Sequence, residues 1–238
     1  MSAKKRHNKL KPWQALAALL IALGILIFQG VSDQSRIPSA PAMDLAQIPA
    51  FTDQPYVVIG DNVPDFTPEE LAQGGFEEYS PLDRLGRCGT AFACIGTETM
   101  PDGERGSISS VKPSGWHSVK YDGISGGSLY NRCHLIGWQL AGENANEENL
   151  ITGTRYLNVE GMLPFENMVA DYVLETGNHV LYRVSPIFAG DELVARGVQM
   201  EAYSVEDQGE GVAFHVFCYN VQPGIQIDYA TGKSEEIR

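Results

Sequence analysis

From about residue 50 to the C-terminus the chain repeats one pattern, short runs of alternating apolar and polar residues cut apart by Gly, Pro, Asn and Asp. Alternation with period two predicts half-buried strands, because successive side chains point to opposite faces. "PYVVIGDN" (55–62) reads as a short strand closed by a turn, and Thr67-Pro68-Glu69-Glu70 as a capping-box start to a short helix. The segment 81–115, rich in Gly, Ser and Pro, reads as loops and short strands. "WHSVKYD" (116–122) alternates, "GISGGS" turns, and "SLYNRCHLIGWQLAG" (128–142) comes next, which together predict a hairpin. Past the polar loop "GENANEEN" the period changes to helical. Leu163, Val169, Tyr172 and Val173 are spaced on a helical period in a helix that starts near Leu163, with Pro164 in its first turn, and stops at Gly177-Asn178. The remainder is a meander of "HVLYRVSPIF", "ELVARGVQMEAYSV", "VAFHVFCYNV" and "IQIDY". The predicted class is α+β, an antiparallel sheet with one main helix.

The N-terminus departs from this pattern. A nearly unbroken apolar run from Trp13 to Val31 succeeds a head holding Lys4, Lys5, Arg6, Lys9 and Lys11 and no acid. Such a run spans a bilayer, and the basic head stays on the cytoplasmic side, so residues 1–31 read as a signal anchor. A cleaved signal peptide is the alternative, and either exports the rest of the chain. Residues 32–50 lack periodicity and read as a flexible tether, leaving 51–238 as the folded domain. Its cysteines, Cys88, Cys94, Cys133 and Cys218, permit three complete pairings or none.

Charge bears on the partner. The net charge is −13, and without the basic head 12 basic residues face 30 acidic ones, −18, which argues against a polyanion unless a divalent cation reverses the sign locally. Seven of the eleven Lys and Arg residues after position 80 do lie between Arg84 and Arg155.

The chemistry concentrates in "YNRCH". Arg132 and His134, two apart on a strand, share a face, while Asn131 and Cys133 look the other way. Arg suits a phosphate and neutral His can take a proton from water, a pairing that fits phosphodiester hydrolysis. "NLITGTRYLNVEGMLPFEN" (149–167) adds Asn149, Arg155, Asn158 and Glu166.

With both stretches together the chain, over roughly residues 80–238, resembles the DNA/RNA non-specific endonucleases, nucleases with a ββα-metal (His-Me finger) core. The resemblance is closest to membrane-anchored or secreted bacterial DNA-entry nucleases. The family pattern is Asp-Arg-Gly-His, then an Asn with a Glu eight positions later, an order that His134, Asn158 and Glu166 keep. The resemblance implies His134 as general base, Asn158 as the protein ligand of Mg²⁺ (with Mn²⁺ as a possible substitute) and Glu166 holding a water of the ion's shell. It implies Arg132 facing the phosphate and Asn149 orienting the active-site loop. Arg155 and Lys120 are further candidates for phosphate contact. Asn131 stands where the family has Asp, and Cys133 where it has Gly, so the latter needs space or a partner such as Cys218.

The expected function is cleavage of DNA, and of RNA, without sequence preference, outside the cytoplasmic membrane, with products carrying 5′-phosphates and activity that falls steeply with salt. A DNA-uptake assembly is a possible partner. The rival readings are a phosphodiesterase for another polymer and a catalytically silent nucleic-acid-binding or surface-interaction domain.

Overall fold

The computed structural model describes residues 43–71 and 74–237. The expected membrane anchor and most of the tether lie outside the described residues. Among the described residues no helix is long and apolar enough to cross a membrane.

The strands in chain order are β1 (Tyr56–Val58), β2 (Phe76–Tyr79), β3 (Ala91–Ile95), β4 (Tyr130–His134), β5 (Leu150–Thr154), β6 (Val180–Ile187), β7 (Gly197–Ser204), β8 (Ala213–Tyr219), β9 (Ile225–Asp228) and β10 (Lys233–Glu236). Six form an antiparallel sheet in the order β1-β8-β7-β6-β3-β2, while β4 pairs with β5 and β9 with β10. The meander strands β6, β7 and β8, consecutive along the chain and joined through residues 188–196 and 205–212, are neighbours in the sheet. The helices are α1 (Pro68–Leu71), α2 (Trp138–Ala141) and α3 (Leu163–Thr176). At α1 the capping box closes both ways, Thr67 N–H to a Glu70 carboxylate oxygen at 2.7 Å and Glu70 N–H to Thr67 Oγ1 at 3.2 Å.

Helix α3 lies on one face of the large sheet. Phe165, Val169, Ala170 and Val173 pack into one core with Ala91, Ala93, Tyr182, Val184 and Met200. Burying Val169 and Val173 completely contributes roughly 1.5–3 kcal/mol each. Gly177 ends the helix at φ 72°, a left-handed stop that glycine takes without strain. On the opposite face Arg183 lies buried between Glu70 and Glu201, under the rings of Phe66 and Phe92, and ties the α1 segment to the sheet.

Three expectations change. Residues 116–122 form no strand beyond a single bridge, Lys120 to Ser128, and the partner of β4 is β5. Alternation alone cannot choose between partners; burial does, and every residue of β5 is buried whereas His117, Ser118 and Lys120 are exposed or partly so. Second, α3 starts at Leu163 as expected, but no break precedes it: helical geometry starts at Arg155 and runs through a π-helical stretch, Leu157–Met162, directly into α3. The Leu163 N–H bonds the Asn158 carbonyl five residues back. This wider turn accommodates Pro164, which has no N–H to donate and would crowd a tight α-turn. Third, part of the expected tether is docked, because Met43, Leu45, Ile48 and Phe51 pack on Ile187, Phe217 and Tyr219.

All four cysteines are buried and none is joined in a disulfide. The space Cys133 needs comes from Gly153, where an added Cβ would fall 2.6 Å from the Cys133 Cβ. Gly153→Ala is therefore expected to cost about 1–3 kcal/mol of stability. Adding Cys133→Gly should return much of that loss in a thermal melt. A double variant no more stable than Gly153→Ala would show that the clash is not the cause.

Candidate active site

Strand β4 delivers Arg132 and His134 to the same face, yet their side chains part. His134 is 5% exposed, and its Nε2 lies 2.9 Å from the Asn144 carbonyl oxygen. A carbonyl only accepts, so Nε2 carries the proton and the neutral ring keeps its lone pair on Nδ1. Arg132 instead donates to the carbonyls of Val111 and Ser109 and stacks at 4.2 Å on the Trp116 ring.

After His134 the chain turns through Leu135 and Ile136 into α2. Asn149, wholly buried, fixes that turn: its Oδ1 accepts from the Ile136 N–H at 2.9 Å, and its Nδ2 donates to the Ile136 carbonyl at 3.0 Å. The next residue, Gly137, leaves room for the Glu166 carboxyl, since a Cβ there would sit 2.9 Å from it and push that side chain aside. Glu166 stands in the first turn of α3, eight residues after Asn158, and the intervening π-helical stretch brings both to one side.

The result is a cleft of about 250 Å³ lined by Arg105, His134, Gly137, Asn158, Leu163 and Glu166, with Trp138 and Gln139 completing its wall. Thus His134, Asn158 and Glu166, placed together by the family resemblance, share one cavity. Arg132, Asn149, Arg155 and Lys120 do not line it. Arg155 donates its backbone N–H to the Leu129 carbonyl, and its buried Nε has no partner among the described residues. Lys120 is exposed, at the backbone bridge to Ser128. Of the basic residues expected around the site, Arg84 is paired with Asp191 and Arg87 with Asp83, so Arg105 is the cation lining the cleft.

Sequence reasoning did not single out Arg105 or Gly137. Arg105 lies in the featureless loop "PDGERGS", 29 positions before His134, and only the fold brings it near. Gly137 does carry a signal, a glycine between an apolar strand end and a helix start, although its reason is a side chain 29 positions later.

Burial dominates the electrostatics. It lowers the His134 pKa below the usual 6.5, against the Asn144 carbonyl, with the Arg105 charge adding to the lowering. It raises Glu166 to about 7, opposed by the Arg105 charge. The ring is thus unprotonated at neutral pH, and if it serves as a base its protonation should shut activity down only on the acid side. The acid limb of kcat/KM should fall with an apparent pKa below 6.5. An acid limb with an apparent pKa at or above 6.5 would rule out titration of this buried ring as its source.

The donor chemistry suits a hard cation. Among the described residues no group of three or more His, Cys, Asp and Glu could hold a metal ion. The cleft offers instead an amide oxygen, Asn158, and a carboxylate, Glu166. A desolvated carboxylate with only an arginine charge to offset its burial gains most from a cation that brings its own water.

His117 bonds the Thr231 carbonyl, His179 lies between Glu98 and Glu206, and His215 packs against Gln199 and the Val63 carbonyl, all away from the cleft.

A family model described as DNA/RNA non-specific endonuclease matches residues 69–206, which contain every residue of the cleft. Among solved structures, the chain is similar to NucA from Streptococcus agalactiae with a magnesium ion bound, at 25% identity over 76% of this chain and 86% of that one, TM-score 0.67. It shares the fold of Sda1 nuclease with a bound zinc ion, at 24% identity over 82% of this chain and 100% of that one, TM-score 0.65. A family match over more than half the chain, on a fold that gathers His134, Asn158 and Glu166 into one cleft, makes this protein a member of the DNA/RNA non-specific endonuclease family and an endonuclease acting on nucleic acid.

Proposed function

We propose that the chain is a divalent-cation-dependent endonuclease that cuts DNA, and RNA, without sequence preference, with Mg²⁺ as its natural ion and Mn²⁺ as a substitute. The N-terminal apolar run would tether it to the cytoplasmic membrane with the nuclease domain outside. The observation that carries the catalytic reading is the convergence of a neutral imidazole, a carboxamide, a carboxylate and a guanidinium on one cleft.

In this reading His134 takes a proton from a water in the cleft through Nδ1, with Nε2 held by Asn144. The water oxygen bonds to phosphorus as the bond to the 3′ oxygen breaks, and that oxygen takes a proton from solvent, leaving a 5′-phosphate. Arg105 meets the non-bridging phosphate oxygens from the cleft wall. Asn158 would hold the cation directly and Glu166 would accept from a water of its shell. When bound, the cation supplies Lewis-acid stabilisation of the charge building on the phosphate and the leaving oxygen.

The test is nicking of plasmid DNA and of a structured RNA by the purified chain, with Mg²⁺ and with EDTA. Cleavage of both that stops with EDTA is expected. Intact plasmid, with hydrolysis of another phosphodiester polymer, would refute the substrate. Because Arg84 and Arg87 are spent in ion pairs, the salt dependence should come from few contacts, and Arg105→Ala should flatten the slope of log kcat/KM against log salt by about one. An unchanged slope would remove Arg105 from the phosphate.

A further inference from the structure

The segment 105–111 brings Arg105 to the cleft wall without any strand or helix of its own, so its placement depends on groups outside it. Two side chains supply this. The Asn144 carboxamide oxygen accepts from the Gly106 N–H at 2.6 Å, and its amide donates to the Gly142 carbonyl at 3.2 Å. The approach is close, since a Cβ on Gly106 would lie 3.2 Å from the Asn144 carboxamide. The main-chain carbonyl of the same residue holds the His134 ring. Asn144 thus touches the base through its backbone and the arginine segment through its side chain.

The second fastening is Arg132. Its guanidinium donates to the Ser109 and Val111 carbonyls with the Trp116 ring against its face, and Val111 is buried. Those bonds turn the Arg132 fork toward the loop backbone and away from the cleft.

We propose that Asn144 and Arg132 are positioning residues that present Arg105 to the scissile phosphate, with Arg132 acting on the loop and not on the phosphate. The inference rests on the reading of Arg105 given under Proposed function. Arginine is needed at 132 because a planar fork can serve two carbonyls and a ring face at once, whereas a lysine ammonium keeps the charge and loses that geometry. A charge held at its working place acts on the phosphate more strongly than one carried by an untied loop.

The experiment compares Asn144→Ala and Arg132→Lys in the full chain, each alone and combined with Arg105→Ala, by kcat and KM on a DNA duplex. Trypsin cleavage of the Arg105–Gly106 bond, read by mass spectrometry, reports the loop directly. Each single variant is expected to lower kcat/KM by about tenfold, and to change it less than about twofold once Arg105 is gone. Each should also speed tryptic cleavage at Arg105 and leave other sites as they were. Asn144→Asp, which keeps an acceptor for Gly106, should recover most of the loss. All variants retain the main-chain carbonyl that holds His134. Losses that multiply with that of Arg105→Ala, or an Arg105–Gly106 bond no more cleavable than in the parent, would overturn the proposal. Parent-like turnover by Arg105→Ala alone would instead bring down the phosphate reading of Arg105 and this inference with it.

Discussion

Replacing Glu166 by Gln is expected to abolish nicking while making the cation-free protein more stable. The folded carboxyl titrates at about 7 and the unfolded one near 4.5, because burial disfavours the charge. Below the lower value both states are protonated and the residue costs nothing. As pH rises through the window between the two, the unfolded chain releases its proton first and folding loses stability, so the full penalty stands above about 7. The gap corresponds to a few kcal/mol, on the order of 3. Glutamine keeps the shape without the charge, so the thermal midpoint at about pH 8 without divalent cations should rise by several degrees. Added Mg²⁺ should stabilise the parent and leave the variant nearly unmoved, since only a state with a site gains from its ligand. Equal melting of the two proteins at both low and high pH would mean that Glu166 carries no stored cost. An active Glu166→Gln would remove the carboxylate from the cation's shell.

The second large effect is that of His134→Ala. Losing a positioned general base costs roughly 10²- to 10⁴-fold in rate. It should appear in kcat with little change in KM, because the ring touches the attacking water and not the substrate's binding contacts. The acid limb of the pH profile should vanish with it. Asn158→Ala should also stop turnover, with a different signature: stabilisation by Mg²⁺ should disappear, whereas His134→Ala should keep it. A His134→Ala protein that nicks like the parent, or that still shows the acid limb, would move the base elsewhere.

Much of the architecture could be read in advance because it depends on local periodicity. The meander from β6 to β8 comes from strands that follow one another along the chain between Gly-, Asp- and Pro-containing connections, and the end of α3 from Gly177. The pairing of β4 was beyond that reasoning. Residues 116–122 alternate whereas Leu150–Thr154 do not, but hydrogen-bond partners are chosen by which surfaces become buried, and burial is not a property of seven residues alone. The continuity of helix through Asn158 into α3 was equally hidden, since a proline normally marks a start and only the widened turn lets it stand inside.

The site divides in the same way. His134, Asn158 and Glu166 were identifiable because their residue types and spacing match a family pattern. Arg132 shows the limit of that reasoning: strand alternation determines the face on which a side chain begins, not where a long, flexible one ends. Its guanidinium went to two carbonyls and an indole that lie 16 to 23 residues upstream.

By itself, then, the order of residues determined the strand meander, the helix stop and the grouping of His134, Asn158 and Glu166, since each is written in neighbouring positions or a short spacing. Folding in three dimensions decided which strand β4 joins, which cation reaches the cleft and what Arg132 holds. Those outcomes depend on distant segments competing to bury surface and satisfy backbone groups, and no local stretch contains both competitors.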